Sequence, residues 1–161
     1  MTLIPLAFVL AGISGGSASG SKETQRSGTT VVAYGLSISV PDGWQARVYR
    51  LAPEDAITVE AASVDLPPPG ELMTGERLGT DDAYIRIDDI GAPPEKWGES
   101  SLPLAIGPED IQGPYEGGFP TGAGFSALIN DRALNVRADF GSQRSLEATN
   151  NVLATFSAAP R

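Results

Sequence analysis

Apolar and polar positions alternate through much of the chain after residue 28. In Leu36-Ser37-Ile38-Ser39-Val40 every second residue is apolar, which predicts a strand with Leu36, Ile38 and Val40 on one face. Thr29 to Ala33 predicts a short β segment leading into it. Pro41-Asp42-Gly43 ends the strand: proline presets φ, aspartate favours the turn and glycine supplies positive φ. Alternation resumes with Trp44, Ala46 and Val48 set against Gln45, Arg47 and Tyr49, so the pattern predicts a hairpin with Trp44 as a core anchor at its corner. Ile57 to Ala61 predicts a further strand, stopped by Leu66-Pro67-Pro68-Pro69-Gly70. Ala83, Ile85 and Ile87 then share one face of the next strand, and Tyr84, Arg86 and Asp88 share the other.

From Gly91 to Gly118 the pattern is loop-like, with a short strand expected at Leu102 to Ile106. Gly124 to Ile129 and Ala133 to Phe140 read as a strand pair joined by Asn130-Asp131-Arg132. Gly141-Ser142 breaks the second, and Ser145 to Thr155 predicts a helix with Leu146, Thr149, Asn150 and Leu153 at helical spacing and Phe156 closing the last turn. The fold expected is α+β: an antiparallel sheet of about six to seven strands with a C-terminal helix packed on one face. A parallel βαβ plan needs more helices than the pattern supplies.

The N-terminal stretch follows a different rule. Leu3 to Ile13 is an unbroken apolar run of eleven residues, short of the about 20 needed to span a bilayer but suited to a signal-peptide core. Ser17-Ala18-Ser19 supplies the small residues expected before a cleavage point, and residues 20–28 read as a polar tether. No Lys or Arg precedes the run, and Ile13 stands where a lipobox beginning Leu10-Ala11-Gly12 would carry its cysteine. The expected organisation is a signal peptide-like segment over 1–19, a tether over 20–28 and one α+β domain over 29–161. It implies a secreted or extracytoplasmic protein with no stable transmembrane span. The alternative is an N-terminal strand or helix packed on the domain.

Charge narrows the partners. The chain carries a formal net charge of −9, and residues 54–116 hold fifteen acids against three bases. Such a field repels phosphate backbones, which excludes nucleic acid as a partner. The 161 residues include no cysteine and no histidine, which removes disulfides, Cys-based zinc sites and every Ser–His or Cys–His arrangement. Catalysis would fall to carboxylates, a tyrosine, or the only lysines, Lys22 and Lys96. Asp82 and Asp88 share a strand face but lie about 20 Å apart along it. Asp88, Asp89 and Glu95 lack any ordered calcium-ligand spacing, so neither a metal nor a cofactor is expected. The segment 113–124 is glycine-rich without the Gly-Lys-Ser/Thr of a phosphate cradle. Its aromatics, Tyr115 and Phe119, are the candidate binding residues, since aromatic side chains on Gly/Pro loops serve recognition.

Gly35-Leu36-Ser37-Ile38-Ser39-Val40-Pro41-Asp42-Gly43-Trp44 resembles the opening strand and turn of small Mog1/PsbP-like domains, including LpqN-like actinobacterial exported proteins. The order at the C-terminal end, a strand pair over Gly124 to Phe140 and then a helix through Leu153, is similar too. The resemblance implies an antiparallel α/β/α sandwich and a non-catalytic role, binding a protein partner or an envelope ligand. The acidic, Pro-rich middle matches no motif of that group, and no functional residue is carried over. The expectation is therefore a secreted or cell-surface accessory domain. Two other readings stay open: a carboxylate-dependent hydrolase, which requires two of Asp82, Asp88 and Glu109 within about 10 Å, and a structural subunit of a surface assembly.

Overall fold

The computed structural model describes residues 8–9, 28–51, 56–74, 77–91, 97–114 and 121–161. In chain order they form β1 (Phe8–Val9), β2 (Gly28–Ala33), β3 (Leu36–Pro41), β4 (Gln45–Leu51), β5 (Ala56–Ala62), β6 (Ala83–Asp89), β7 (Ile111–Pro114), β8 (Thr121–Ile129), β9 (Arg132–Phe140), α1 (Gln143–Leu153) and β10 (Ser157–Ala158). The strands divide into two antiparallel sheets, a four-stranded one in the order β1-β2-β3-β10 and a six-stranded one in the order β4-β5-β6-β9-β8-β7. Mostly antiparallel sheet with one C-terminal helix is the α+β character expected.

The division into two sheets corrects the hairpin expected around Pro41-Asp42-Gly43. β3 pairs with β2 and β10, whereas β4 pairs with β5. The turn does close, with the Trp44 N–H donating to the Pro41 carbonyl at 3.2 Å, but it is a corner that carries the chain from one layer to the other. Leu36, Ile38 and Val40 on one side and Val48, Val59, Ile85 and Leu134 on the other thereby meet in a single core. Trp44 is only half-buried against that core. The true hairpin partner of β3 is β2, joined through Tyr34-Gly35.

α1 packs over the same core with Leu146, Val152 and Leu153, and Phe156 follows it inward. Its N-terminus is capped by two serines. Ser142 Oγ accepts from the Ser145 N–H at 3.3 Å, and Ser145 Oγ accepts from the Ser142 N–H at 2.8 Å, a capping box with serine in the usual Glu/Gln place. Gly141, just before the cap, lets the chain pass the 79–80 backbone, where a Cβ would fall 2.1 Å from the Gly79 carbonyl oxygen.

Leu102 to Ile106 does not form the expected strand. Leu104 and Ile106 are buried, yet the Ile106 N–H donates to Asn150 Oδ1 (2.8 Å) and its carbonyl accepts from Asn150 Nδ2 (3.3 Å). A helix amide thus satisfies the backbone groups that a neighbouring strand would otherwise take. The edge strand in this region is β7, on β8.

At one end of the molecule a buried carboxylate ties the two sheets. Asp89 accepts from Arg132 Nη1 (2.6 Å) and Arg161 Nη2 (2.8 Å), while Arg132 also donates to the carbonyls of Ala159 (2.7 Å) and Tyr34 (3.1 Å). One guanidinium therefore joins β6, the β2–β3 turn and the tail after β10.

Phe8 and Val9 lie antiparallel to Val32 and Val31 on the outer edge of β2. The cleavage-like Ser17-Ala18-Ser19 and the tether up to Ser27 fall outside the described residues, and Gly28 opens β2. Among the described residues no helix is long and apolar enough to cross a membrane.

Candidate functional site: the polar face of the six-stranded sheet

Alternation along β4, β5, β6, β8 and β9 sends one set of side chains into the core and the other onto the opposite face. Register then lines up that second set in rows. Arg47 stands opposite Glu60, Glu60 opposite Arg86, Arg86 opposite Arg137, and Arg137 opposite Gly124. The next row runs Tyr49, Thr58, Asp88, Asn135 and Ser126. The row on the other side holds Gln45, Ala62, Tyr84, Asp139 and Gly122.

Glu60, fully buried, is the centre of this face. It pairs with Arg47, accepts from the Tyr84 hydroxyl at 2.6 Å, and lies 3.6 Å from Arg86 Nη1. That last distance allows charge attraction but not a hydrogen bond, and Arg86 Nη1 is buried with no hydrogen-bond partner among the described residues. Arg86 turns its Nε toward Asp88 (2.8 Å), and Asp88 in turn accepts from the Thr58 hydroxyl (2.6 Å). On β9 the motif repeats, with Arg137 Nε donating to Asp139 at 3.1 Å. Two arginines directly opposite each other repel; a carboxylate two positions along each strand offsets that repulsion.

Burial sets the protonation states. It pushes the Tyr84 hydroxyl well above the usual phenol range, and the Glu60 carboxylate that it faces adds to the effect, so Tyr84 remains a donor. Tyr49 is raised in the same way, by burial first and then by Glu60. Burial works against the charge of Arg86, but the Asp88 carboxylate together with Tyr49 and Tyr84 outweighs it, and the guanidinium stays ionised. Asp139 is raised by burial, with Arg137 opposing.

The face is closed at one side and open at the other. Over residues 63–74 and 77–82 the chain covers it: Met73 and Leu78 pack with Ala62 and Tyr84, the Gly70 N–H donates to the Tyr49 hydroxyl (3.3 Å), and Pro67 offers its carbonyl to Arg47. Among the described residues the cover ends toward β8. Asn135 and Ser126 are exposed there, bonded to each other at 3.0 Å; beside Arg137, which is 40% exposed, Gly124 has no side chain of its own, and Gln112 Nε2 lies 3.3 Å from where its Cβ would be. Three arginines and three carboxylates balance on this face although the chain is strongly acidic. The face therefore presents paired donors and acceptors rather than a net field.

Tyr115 and Phe119 lie outside the described residues, in the connection from β7 to β8 whose far end, Thr121, stands opposite Phe140 at the edge of the polar rows. The carboxylates weighed for hydrolysis are not brought together. Asp82 accepts from the Gly79 N–H (2.7 Å) at the turn before β6, Asp88 sits toward the other end of β6, and Glu109 lies in the 3-10 turn leading into β7. Asp88 and Asp89 point to opposite faces, one to Arg86 and the other to Arg132, and Glu95 is not among the described residues. Among the described residues no group of three acidic side chains could hold a metal ion.

A cleft of about 250 Å³ also opens between the end of β3 and α1, floored by Val40, Pro41, Ala148 and Val152. Its hydroxyls are engaged: Thr155 Oγ1 accepts from the Ser39 N–H (2.9 Å), and Ser39 Oγ is shared with Thr30 (2.7 Å). Arg47, Glu60, Arg86 and Arg137 were not singled out by sequence reasoning; the available signal was their common parity on strands read correctly one at a time. No protein-family model, curated protein or solved structure matches the chain.

Proposed function

We propose that the chain is a non-catalytic accessory domain of the bacterial cell envelope, exported by its N-terminal segment, which binds a protein or an envelope ligand on the open half of the polar sheet face. The observation that carries this reading is the in-register row Arg47, Glu60, Arg86 and Arg137. Buried and half-buried charges are costly to hold, and well-packed apolar side chains in their place are often as stable or more so. A face that retains six of them, graded from closed to open, suits recognition better than stability. The Mog1/PsbP-like plan, implied by the Gly35 to Trp44 stretch, accords with a binding role, and Thr121, which follows the segment carrying Tyr115 and Phe119, stands at the edge of the same rows.

Two experiments test the reading. A photo-crosslinking residue placed at Ser126 or Asn135 in the native host is expected to give a discrete adduct on irradiation, and the same residue at Arg144 on α1 none. Equal or absent adducts at all three positions would overturn the assignment of the face. The intact mass of the native protein, taken separately from cells and culture supernatant, tests export. A chain beginning near Gly20 outside the cell is expected, and a full-length chain held in the cytosol would overturn it.

A further inference from the structure

Among the described residues two hairpin turns have both central residues at positive φ, the type favoured by the twist of paired strands. In the β8–β9 turn these are Asn130 (φ 49°) and Asp131 (φ 62°), short polar residues that tolerate the left-handed region. In the β2–β3 turn they are Tyr34 (φ 54°) and Gly35 (φ 77°). Gly35 suits its place, since a Cβ there would fall 2.7 Å from Arg132 Nη2. Tyr34 does not: a bulky side chain in the left-handed region is a rare and unfavourable choice where Asn or Gly is the ordinary one.

The surroundings over-determine this conformation. The Tyr34 carbonyl accepts from Arg132, which Asp89 and Ala159 hold from below. From the side, the Arg50 guanidinium lies over the Tyr34 ring with 5.3 Å to its centroid. Tyr34 is nevertheless 36% exposed. Arg50 is exposed on β4 and makes no ion pair among the described residues, in a chain where acids outnumber bases almost two to one.

We propose that this turn end, centred on Tyr34 and Arg50, is an interaction surface separate from the polar sheet face, and that its partner is a protein segment presenting a carboxylate beside an apolar side chain. Stacking on Tyr34 fixes the plane of Arg50, whose fork of N–H donors no described residue engages, for bidentate contact with a carboxylate. The Tyr34 hydroxyl offers a further donor, and the ring supplies apolar area. Tyr and Arg are the side chains that most often dominate binding energy at protein interfaces. A ring already pinned by its backbone loses little freedom on binding, which favours affinity. Residues in strained backbone held by their neighbours concentrate at functional positions, and this is such a residue. The acidic balance of the whole chain disfavours a nucleic-acid or anionic-membrane occupant.

The test is selection of a phage-displayed random peptide library on the folded full chain, followed by calorimetry with the synthetic consensus peptide. The expected consensus places Asp or Glu beside an apolar residue. Arg50→Gln is expected to weaken its binding about tenfold or more, and Tyr34→Ala comparably. Arg144→Gln, which removes the same charge from α1, is expected to stay within about twofold of the parent. Arg50 is exposed, so Arg50→Gln keeps the proposal testable even if Tyr34→Ala disturbs the turn; an unchanged thermal midpoint confirms its fold. No enrichment, a consensus without an acid, equal binding to Arg50→Gln, or an equal loss in Arg144→Gln would each overturn the proposal. So would loss of peptide binding to competing oligonucleotides or phosphatidylglycerol vesicles that engage the same residues.

Discussion

The two faces of the six-stranded sheet are built from the same strands by the same alternation, yet they follow opposite chemistry. On the core face Val59, Ile85 and Leu134 are fully buried among aliphatic neighbours, and any residue of similar shape would serve. On the polar face Glu60 is as deeply buried but faces Arg47, Tyr84 and Arg86. There shape is secondary and each partner is required, because a buried charge without its counter-charge costs far more than a lost methyl group. Equal burial therefore does not mean equal tolerance.

The largest expected effect breaks the polar face at its centre. Glu60→Ala leaves Arg47 and Arg86 facing each other without their carboxylate and should lower unfolding free energy in urea by about 3–5 kcal/mol. Replacing Arg47, Glu60, Tyr84 and Arg86 together with Met, Leu, Phe and Met should restore the parent stability or exceed it by about 1–4 kcal/mol. A quadruple variant as unstable as Glu60→Ala would mean that the charges hold the fold rather than serve recognition. On the core face Ile85→Ala should cost about 2–5 kcal/mol with no such rescue, read from the same denaturation curves.

Smaller effects sharpen the contrast at the open end. Arg137→Ala should cost less than Glu60→Ala, about 1–3 kcal/mol, since its guanidinium is 40% exposed while the Asp139 carboxylate that it leaves is buried. The smallest effect is a pH dependence. Burial raises the carboxyl of Asp139 in the folded state, so the native protein holds that proton more tightly than the unfolded chain. Its contribution to stability is full below the unfolded value and is lost as pH rises through the folded one. The difference in unfolding free energy between parent and Asp139→Asn should therefore shift in favour of the parent as pH falls through the upper carboxylate range. A flat difference from neutral to acid would remove Asp139 from the account.

Much of the fold was legible because alternation is local. Leu36, Ile38 and Val40, then Ala83, Ile85 and Ile87, then Leu134, Val136, Ala138 and Phe140 each declared a buried face, and the structure buries each. Pairing was less legible. Pro41-Asp42-Gly43 turns a chain equally well into a hairpin or around a corner between layers, and only the rest of the molecule decides which. Tyr34 concealed the real hairpin by occupying a place where Asn or Gly would have announced it. Leu104 and Ile106 showed that an apolar spacing marks burial, which a helix amide such as Asn150 can satisfy without a strand. The candidate site was hidden for a related reason: Arg47, Glu60, Arg86 and Arg137 sit on four strands, and a shift of one residue in any register would disperse the row.

The contact between Ser37 and Ser157 spans 120 positions, and the Arg132 lock that binds Asp89 also waits for Ala159 and Arg161. Made on a ribosome at about 5–20 residues per second, β3 remains without β10 for several seconds. Closure is therefore a matter of timing as well as energy: the four-stranded sheet gains its last strand, and the two sheets their clasp, after nearly all the other described elements have been synthesised. Contacts of such long range also slow folding itself. An emerging chain of this design stays open until late.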